Sequence, residues 1–506
     1  MYCTGLRNSI GDTGYSADSI LYSCFSNARI NPVGVFELSL KEVFTMKCKQ
    51  LRRTILIIST AFVLVGCVKK QEASTESPET VTETEAESLT ESETESNGEP
   101  STEPSTEPST EVYVHGTDGY YCILDDMDIP LESQKGGTCW LYSASCAMET
   151  NYYKKTGTFI DIDPYRLLTL VYEDNTEGYV FEEGINIKDF GGWQEIVAME
   201  LSRGFDGLTL DRTERIDNRD FEAIKTYLRE KGALSTTVPD AKSYRRDFHG
   251  YFTMNQVTDN ASFYDHDITI LGYDDHFPKD YFLEPASQDG AWITYNSMFA
   301  GRLYYVSYDT ALFSVNGHSI TDKYKEVLSY DAGMSLADLP DMYFGAPERA
   351  SIFGSGIKMA NVFHASGKLG AVGTCSLAPD QDVTIEIYDA NLKNVLYTQK
   401  VHFDRIGYFV TELDQPLLVE DFAVAITYGY DAPVEAKEWE DWEICFRTSI
   451  RKGESFAYKD GTWYDMAEEK TGKALGVEEA LGNVCIKALM VELYYDAQSP
   501  SSLGRG

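Results

Sequence analysis

The residues best suited to chemistry lie in Ser133-Gln134-Lys135-Gly136-Gly137-Thr138-Cys139-Trp140. A Gln and a glycine pair stand before a Cys at the start of a helix expected from Trp140 to about Tyr153. A thiol at a helix N-terminus sits beside unpaired backbone N–H groups and the positive end of the helix dipole. Both favour the thiolate, the nucleophilic form. The Gln134 amide, held just upstream, can donate to an oxyanion formed on a substrate carbonyl. A cysteine nucleophile also needs a base and something to hold that base. His266 supplies an imidazole, and Asn296 can hold its second nitrogen, fixing tautomer and ring plane. Among the other histidines, His276 follows two Asp in a loop, His249 reads as a solvated turn, and His364 belongs to a later region.

The elements that must bring these groups together follow from periodicity. After the Cys139 helix come helices at 163–172, opened by Asp163-Pro164, then one that follows the Gly191-Gly192 pair and ends near Gly204, and one over 220–231 closed by Gly232. A strand at 233–238 ends at Pro239, and strands follow at 267–273, 291–295 and 303–308. His266 stands immediately before the second of these four strands, and Asn296 immediately after the third. A helical half followed by a β half is an α+β layout, expected over 113–325.

Gln134, Cys139-Trp140, Gly191-Gly192, the run Asp265 to Asp275 and Trp292-Ile293-Thr294-Tyr295-Asn296-Ser297 together resemble a papain-family cysteine peptidase. The order matches the family's, and His266 and Asn296 fall close to the roughly 130–150 residues downstream that papain-type enzymes use. The resemblance implies Cys139 as nucleophile, His266 as general base and acid, Asn296 as its orienter and Gln134 as an oxyanion donor. Gly191 and Gly192 would offer backbone groups to an extended peptide or protein substrate. No metal or organic cofactor is implied. Four features depart from the family. The loop between Gln134 and Cys139 is one residue short. Met298 stands where a Trp usually shields the Asn–His bond. Gly136 replaces a disulfide-forming Cys. No recognisable inhibitory prosegment precedes residue 113.

Upstream, Met46 opens a basic head, followed by a short apolar run ending Leu64-Val65-Gly66-Cys67. That pattern is a secretory signal, and its end resembles the lipobox of bacterial lipoproteins. The resemblance implies cleavage before Cys67, a lipid on its thiol, and a bacterial protein lipid-anchored at the outer face of the membrane. Residues 1–45 then read as an upstream extension and 46–67 as the signal peptide. Residues 68–112, dominated by Glu, Ser, Thr and Pro, read as a disordered stalk, because they cannot bury enough apolar surface to offset ordering entropy. The formal charge of -38 argues against nucleic acid, which needs a basic patch. The cysteines left after cleavage are scattered, with no metal-ligand spacing. Cys146, on the same helical face as Cys139, reads as core.

From 326 to 495 the chain is nearly all short alternating strands, the pattern of an all-β sandwich; 496–506 reads as a tail. Tyr330-Asp331-Ala332-Gly333, Ala360 to Gly367, Gly453 to Phe456 and Asn483 to Ala488 resemble the lectin-like domain found behind some bacterial papain-family peptidases. The name implies a glycan partner; a packing and spacing module is the equal alternative. Two functions stay open: a cell-surface cysteine peptidase (a hydrolase), or a catalytically weak or inactive papain-like surface protein that binds glycan or protein through its lectin-like domain. Oligomeric state is not legible.

Overall fold

The structure, a computed structural model, describes residues 113–172, 178–181, 188, 191–239, 246–248, 251–257, 264–299, 303–332, 354, 356–436, 438–441, 444–476 and 481–493, with a two-strand ladder of 29–30 and 36–37. The chain divides into two units, 1–106 and 107–506. That ladder apart, the expected extension, the signal with Cys67, the stalk and the tail lie outside the described residues.

The first half of that unit is built around one buried helix, α1 (Cys139–Thr156). Thr138 caps it, its carbonyl accepting from Leu141 N at 3.1 Å. Gly157 ends it in the left-handed region at φ 71°, where L side chains are strained. The helix is buried along one stretch from Trp140 to Tyr152, as expected of a helix covered on several sides. Helices α2 (Pro164–Tyr172) and α3 (Gln194–Leu201) share its apolar cluster through Leu167, Leu168, Val171, Ile196 and Val197. Helix α4 (Phe221–Glu230) starts at Asp220, whose side chain accepts from Ala223 N.

The β half follows as expected in order, with two changes. An additional strand, β1 (Thr209–Ile216), precedes α4; its alternating charges, Asp211, Arg212, Glu214 and Arg215, conceal the period. It pairs antiparallel with β5 (Phe313–Thr321). Between them in sequence come β2 (Leu234–Pro239), β3 (Tyr264–Asp274) and β4 (Ala291–Tyr295). Strand β3 lies between β2 and β4, with Val238 opposite His266 and Tyr295 opposite Thr269. His266 therefore sits inside β3, which begins three residues earlier than the apolar run suggests, because Tyr264-Asp265 continue the ladder to Pro239.

The second half is β-rich. Its two long strands, β6 (Lys358–Ser376) and β7 (Gly407–Thr427), pair along most of their length, with register shifts at 363/366 and 369/371. Each reads in sequence as two shorter strands because the irregularities interrupt alternation. The first part of β6 is flanked by 455–458, the latter part by β8 (Ile486–Leu493). Met359, Phe363, Val372, Ile385, Phe422, Val424, Ile486 and Met490 form the core between them. Among the described residues no helix is long and apolar enough to cross a membrane.

Candidate active site

Cys139 is the first residue of α1 and is partly exposed. What brings it to β3 is a pair of polar contacts one helical turn further on. Ser143 Oγ donates to Ile268 O at 2.7 Å, and Ser235 Oγ on β2 donates to Ser143 O at 2.8 Å. Residues four apart share a helix face. The bond that pins Ser143 two residues past His266 therefore carries Cys139 to the same end of the strand. The backbone N–H of Asp267 reaches the sulfur and favours its anion, as do the N–H groups of Trp140 and Cys139 itself.

Those donors do not prevail in the resting protein. Burial, reinforced by the Asp267 carboxylate, pushes the Cys139 thiol up to about 12. The helix start acts in the direction the sequence suggests, but desolvation of the charged form is larger. At rest Cys139 is held as a thiol.

His266 is buried, and its Nε2 lies 2.9 Å from Asn296 Oδ1. The same Asn296 atom accepts from Met298 N at 3.0 Å. A backbone N–H can only donate, so the shared atom is the amide oxygen. Nε2 must then carry a hydrogen, and in the neutral ring Nδ1 is the basic nitrogen. Asn296 follows directly on β4. The antiparallel register, Tyr295 opposite Thr269, turns it back toward the His266 end of β3. Met298, which stands in place of an expected Trp, thus contributes through its backbone, by orienting the Asn amide.

Gln134 is tied to this corner at both ends. Its N donates to Ser297 O at 2.8 Å, and Ser297 Oγ donates to its Oε1 at 2.7 Å. Its Nε2 donates to Gly136 O at 2.9 Å, leaving the second amide hydrogen uncommitted. The short loop thus keeps Gln134 beside the Asn296 turn.

Gly191 and Gly192 play unequal parts. Gly191 is exposed with open space at its Cα, and its carbonyl accepts from Tyr172 OH at 3.1 Å. Gly192 lies against the indole of Trp140: a Cβ there would come within 2.5 Å of Cε2. Trp140 is anchored in turn by Nε1 donating to Gly137 O at 3.1 Å. The glycine and the Trp beside the Cys therefore require each other, a packing reason that the sequence does not disclose. Cys146 is buried, beside Ile123 and Leu271.

Behind the site runs a polar network the sequence reading does not single out. Glu195 Oε1, in the first turn of α3, accepts from Arg215 at 3.1 Å, from Asn316 Nδ2 at 2.8 Å and from Ser314 Oγ. Gln194 donates to Ser314 O at 2.9 Å and meets His318 at 3.1 Å. His318, fully buried, has its pKa lowered to about 3 by desolvation and by Arg215, so it stays neutral. Polar residues breaking an apolar helix start (Gln194-Glu195) and a strand (Asp267) are the signal that points to this network.

Compared with known proteins, residues 343–490 match the model of a family described as a lectin-like domain. A search of curated proteins by sequence finds no match. Among solved structures, the clostridial cysteine protease Cwp84 after propeptide cleavage is similar at a TM-score of 0.56 and 15% identity, covering 73% of this chain and 98% of that one. The cysteine protease and lectin-like domains of Cwp84, a surface-layer-associated protein of Clostridium difficile, are similar at 0.57 and 15%, covering 75% and 90%. At that identity the likeness is one of fold. The chain has a cysteine-protease-like mixed α/β fold followed by a β-rich, lectin-like region.

Proposed function

We propose that this protein is a cysteine peptidase acting at the bacterial cell surface, hydrolysing peptide bonds through Cys139, His266 and Asn296 with Gln134 as an oxyanion donor. The observation that carries the reading is the His266–Asn296 contact with Met298 N on the same oxygen. It fixes the tautomer that leaves Nδ1 as the base. In the reaction His266 takes the Cys139 proton as sulfur attacks the carbonyl carbon. It then gives that proton to the leaving amine, producing a thioester. Water, deprotonated by His266, hydrolyses the thioester and restores the thiol. Gln134 and the backbone N–H groups at the start of α1 hold the oxyanion. Gly191 and Gly192 line the course of the peptide.

The surface assignment draws on the lipobox ending at Cys67 and on the surface-layer association of Cwp84. In this scheme 113–325 is the peptidase domain and 326–495 the lectin-like domain, with glycan as the latter's partner and the stalk at 68–112 as spacer. A second reading, a papain-like surface binder without turnover, is favoured by the thiol pushed up to about 12.

One experiment separates the two. The full chain is labelled with a thiol-directed epoxide in one sample and, untreated, assayed on a mixed peptide library in another. Peptidase function requires stoichiometric labelling at Cys139, cleavage by the parent and none by Cys139→Ala. Equal products from Cys139→Ala and parent, or no cleavage by either, refute it.

A further inference from the structure

Tyr172 is the last residue of α2 and is buried, with its ring 5.4 Å from that of Trp140. Its hydroxyl donates to Gly191 O at 3.1 Å. A Phe here would keep the ring and lose only that donor. Trp140 follows Cys139, lies against Gly192 and donates through Nε1 to Gly137 O. Gly137 N in turn donates to Lys188 O at 2.9 Å. The end of α2, the glycine segment and the loop before Cys139 are therefore tied to one another in a closed ring of contacts.

The effect of the Tyr172 bond follows from the peptide unit it holds. No cis peptide bond occurs among the described residues, so the Gly191–Gly192 unit is trans and its N–H points opposite to its carbonyl. The carbonyl is drawn inward to a buried Tyr. The N–H of Gly192 is thereby turned the other way, and no acceptor among the described residues takes it. Gly191 itself is exposed. Neither its backbone nor its neighbours account for a glycine: its φ lies outside the left-handed region, and a Cβ would meet nothing within 4 Å. A glycine without such an internal reason leaves room for a second backbone to approach closely. An extended peptide laid along this segment meets a donor already aimed at one of its carbonyl oxygens.

We infer that Tyr172 is a positioning residue for the peptide substrate: its hydroxyl, by holding the Gly191 carbonyl inward, aims the Gly192 N–H at the substrate backbone. The inference rests on the reading of the protein as a peptidase whose substrate runs along Gly191 and Gly192. Without the hydroxyl the peptide unit is free to turn, so the donor is present but no longer pre-set. The loss falls on binding and not on the chemical step, because Cys139, His266 and Asn296 are untouched.

The test compares Tyr172→Phe with the parent, both as the full chain, on two fluorogenic substrates derived from one sequence that the parent cleaves. One keeps four residues before the scissile bond. The other keeps a single blocked residue, too little backbone to run along the glycine pair. On the longer substrate KM should rise by roughly threefold to tenfold, the usual net contribution of one neutral hydrogen bond, with kcat within about twofold. On the shorter one kcat/KM should stay within about twofold of the parent's. A thermal melt checks that the fold survives. Tyr172→Met, which fills similar space without a donor, carries the same expectation should the Phe variant melt early. An unchanged KM on the longer substrate overturns the inference and leaves the peptidase reading intact. So does an equal loss on both substrates, which assigns Tyr172 to packing alone. Equal cleavage by Cys139→Ala and the parent removes the peptidase reading, and the inference with it.

Discussion

Asn296→Ala is the sharpest test of how the base is held. Asn296 Oδ1 accepts from His266 Nε2 at 2.9 Å and from Met298 N at 3.0 Å, at a buried site. When His266 takes the thiol proton it becomes an imidazolium, and its Nε2–H bond to Asn296 becomes charge-assisted. Such bonds contribute about 1.5–3 kcal/mol, which at ~1.4 kcal/mol per decade is roughly a tenfold to 150-fold loss in kcat. The imidazole remains in place, so the loss should be smaller than for His266→Ala, where no group takes the proton. The assay is kcat and KM on a fluorogenic peptide, with a thermal melt to confirm that the fold survives. KM should change little, since Asn296 acts on the ring and not on the peptide. A loss below about threefold would show that the contact does not orient the base. A loss equal to that of His266→Ala would show that Asn296 does more than orient.

Two further outcomes are expected. Gln134→Ala should lower turnover by on the order of a hundredfold to a thousandfold, the usual contribution of an oxyanion donor; a drop below about threefold, with Cys139 still essential, assigns the oxyanion to the backbone N–H groups at the start of α1 alone. Glu149 is buried on α1, accepts from Ile162 N at 2.8 Å, and is raised to about 8 mainly by desolvation. Its folded-state value lies above the unfolded one, so its contribution is fully present below about pH 4.5 and is lost as pH rises through 8, on the order of 5 kcal/mol in all. Glu149→Gln keeps the acceptor and should be more stable than the parent by a few kcal/mol at pH 9 but nearly equal at pH 4.5 in urea melts; the same difference at both pH values would refute the assignment.

Much of this arrangement was legible in the chain because its signals are local. The glycine pair and Thr138 before Cys139 announce a helix start, Asp163-Pro164 another, and the apolar runs at 267–273 and 291–295 are buried strands flanked by turn residues. The order of Gln134, Cys139, His266 and Asn296 then points to the chemistry. What was not legible depends on contacts between distant segments. Nothing in the sequence says that Gly192 lies under Trp140, that Ser143 is bonded to Ile268, or that Met298 serves through its N–H. Strand β1 was missed because its buried positions carry Thr213 and Glu214, which find polar partners only in the fold: His318 at 2.9 Å and Lys231 at 2.6 Å. The expected thiolate is the case where a correct local effect is outweighed. The helix-start donors are present, but the same packing that sets the start of α1 against β3 also removes solvent from the sulfur.

The β-rich half meets the first half through a shared ladder. Gly407, Tyr408 and Phe409 pair with Glu214, Thr213 and Arg212, and Arg215 N donates to Ile406 O at 2.9 Å. Gly407 is required there: its φ is +150°, and a Cβ would fall 1.8 Å from Thr213 O. Within the β-rich half one ion pair is fully buried. Lys487 on β8 donates to both oxygens of Asp331 at 2.7 and 2.8 Å. Glu200 and Arg203, at the end of α3, are within electrostatic reach of Asp331, and Glu200 also of Lys487. Buried ion pairs add little net stability, but losing one partner is severely destabilising. The ladder ends on an element that frames the candidate site. Strand β1 carries Arg215, which holds Glu195 at the start of α3, and the first N–H of α3 faces Asp267. The lectin-like region is thus joined through β1 and Arg215 to the start of α3.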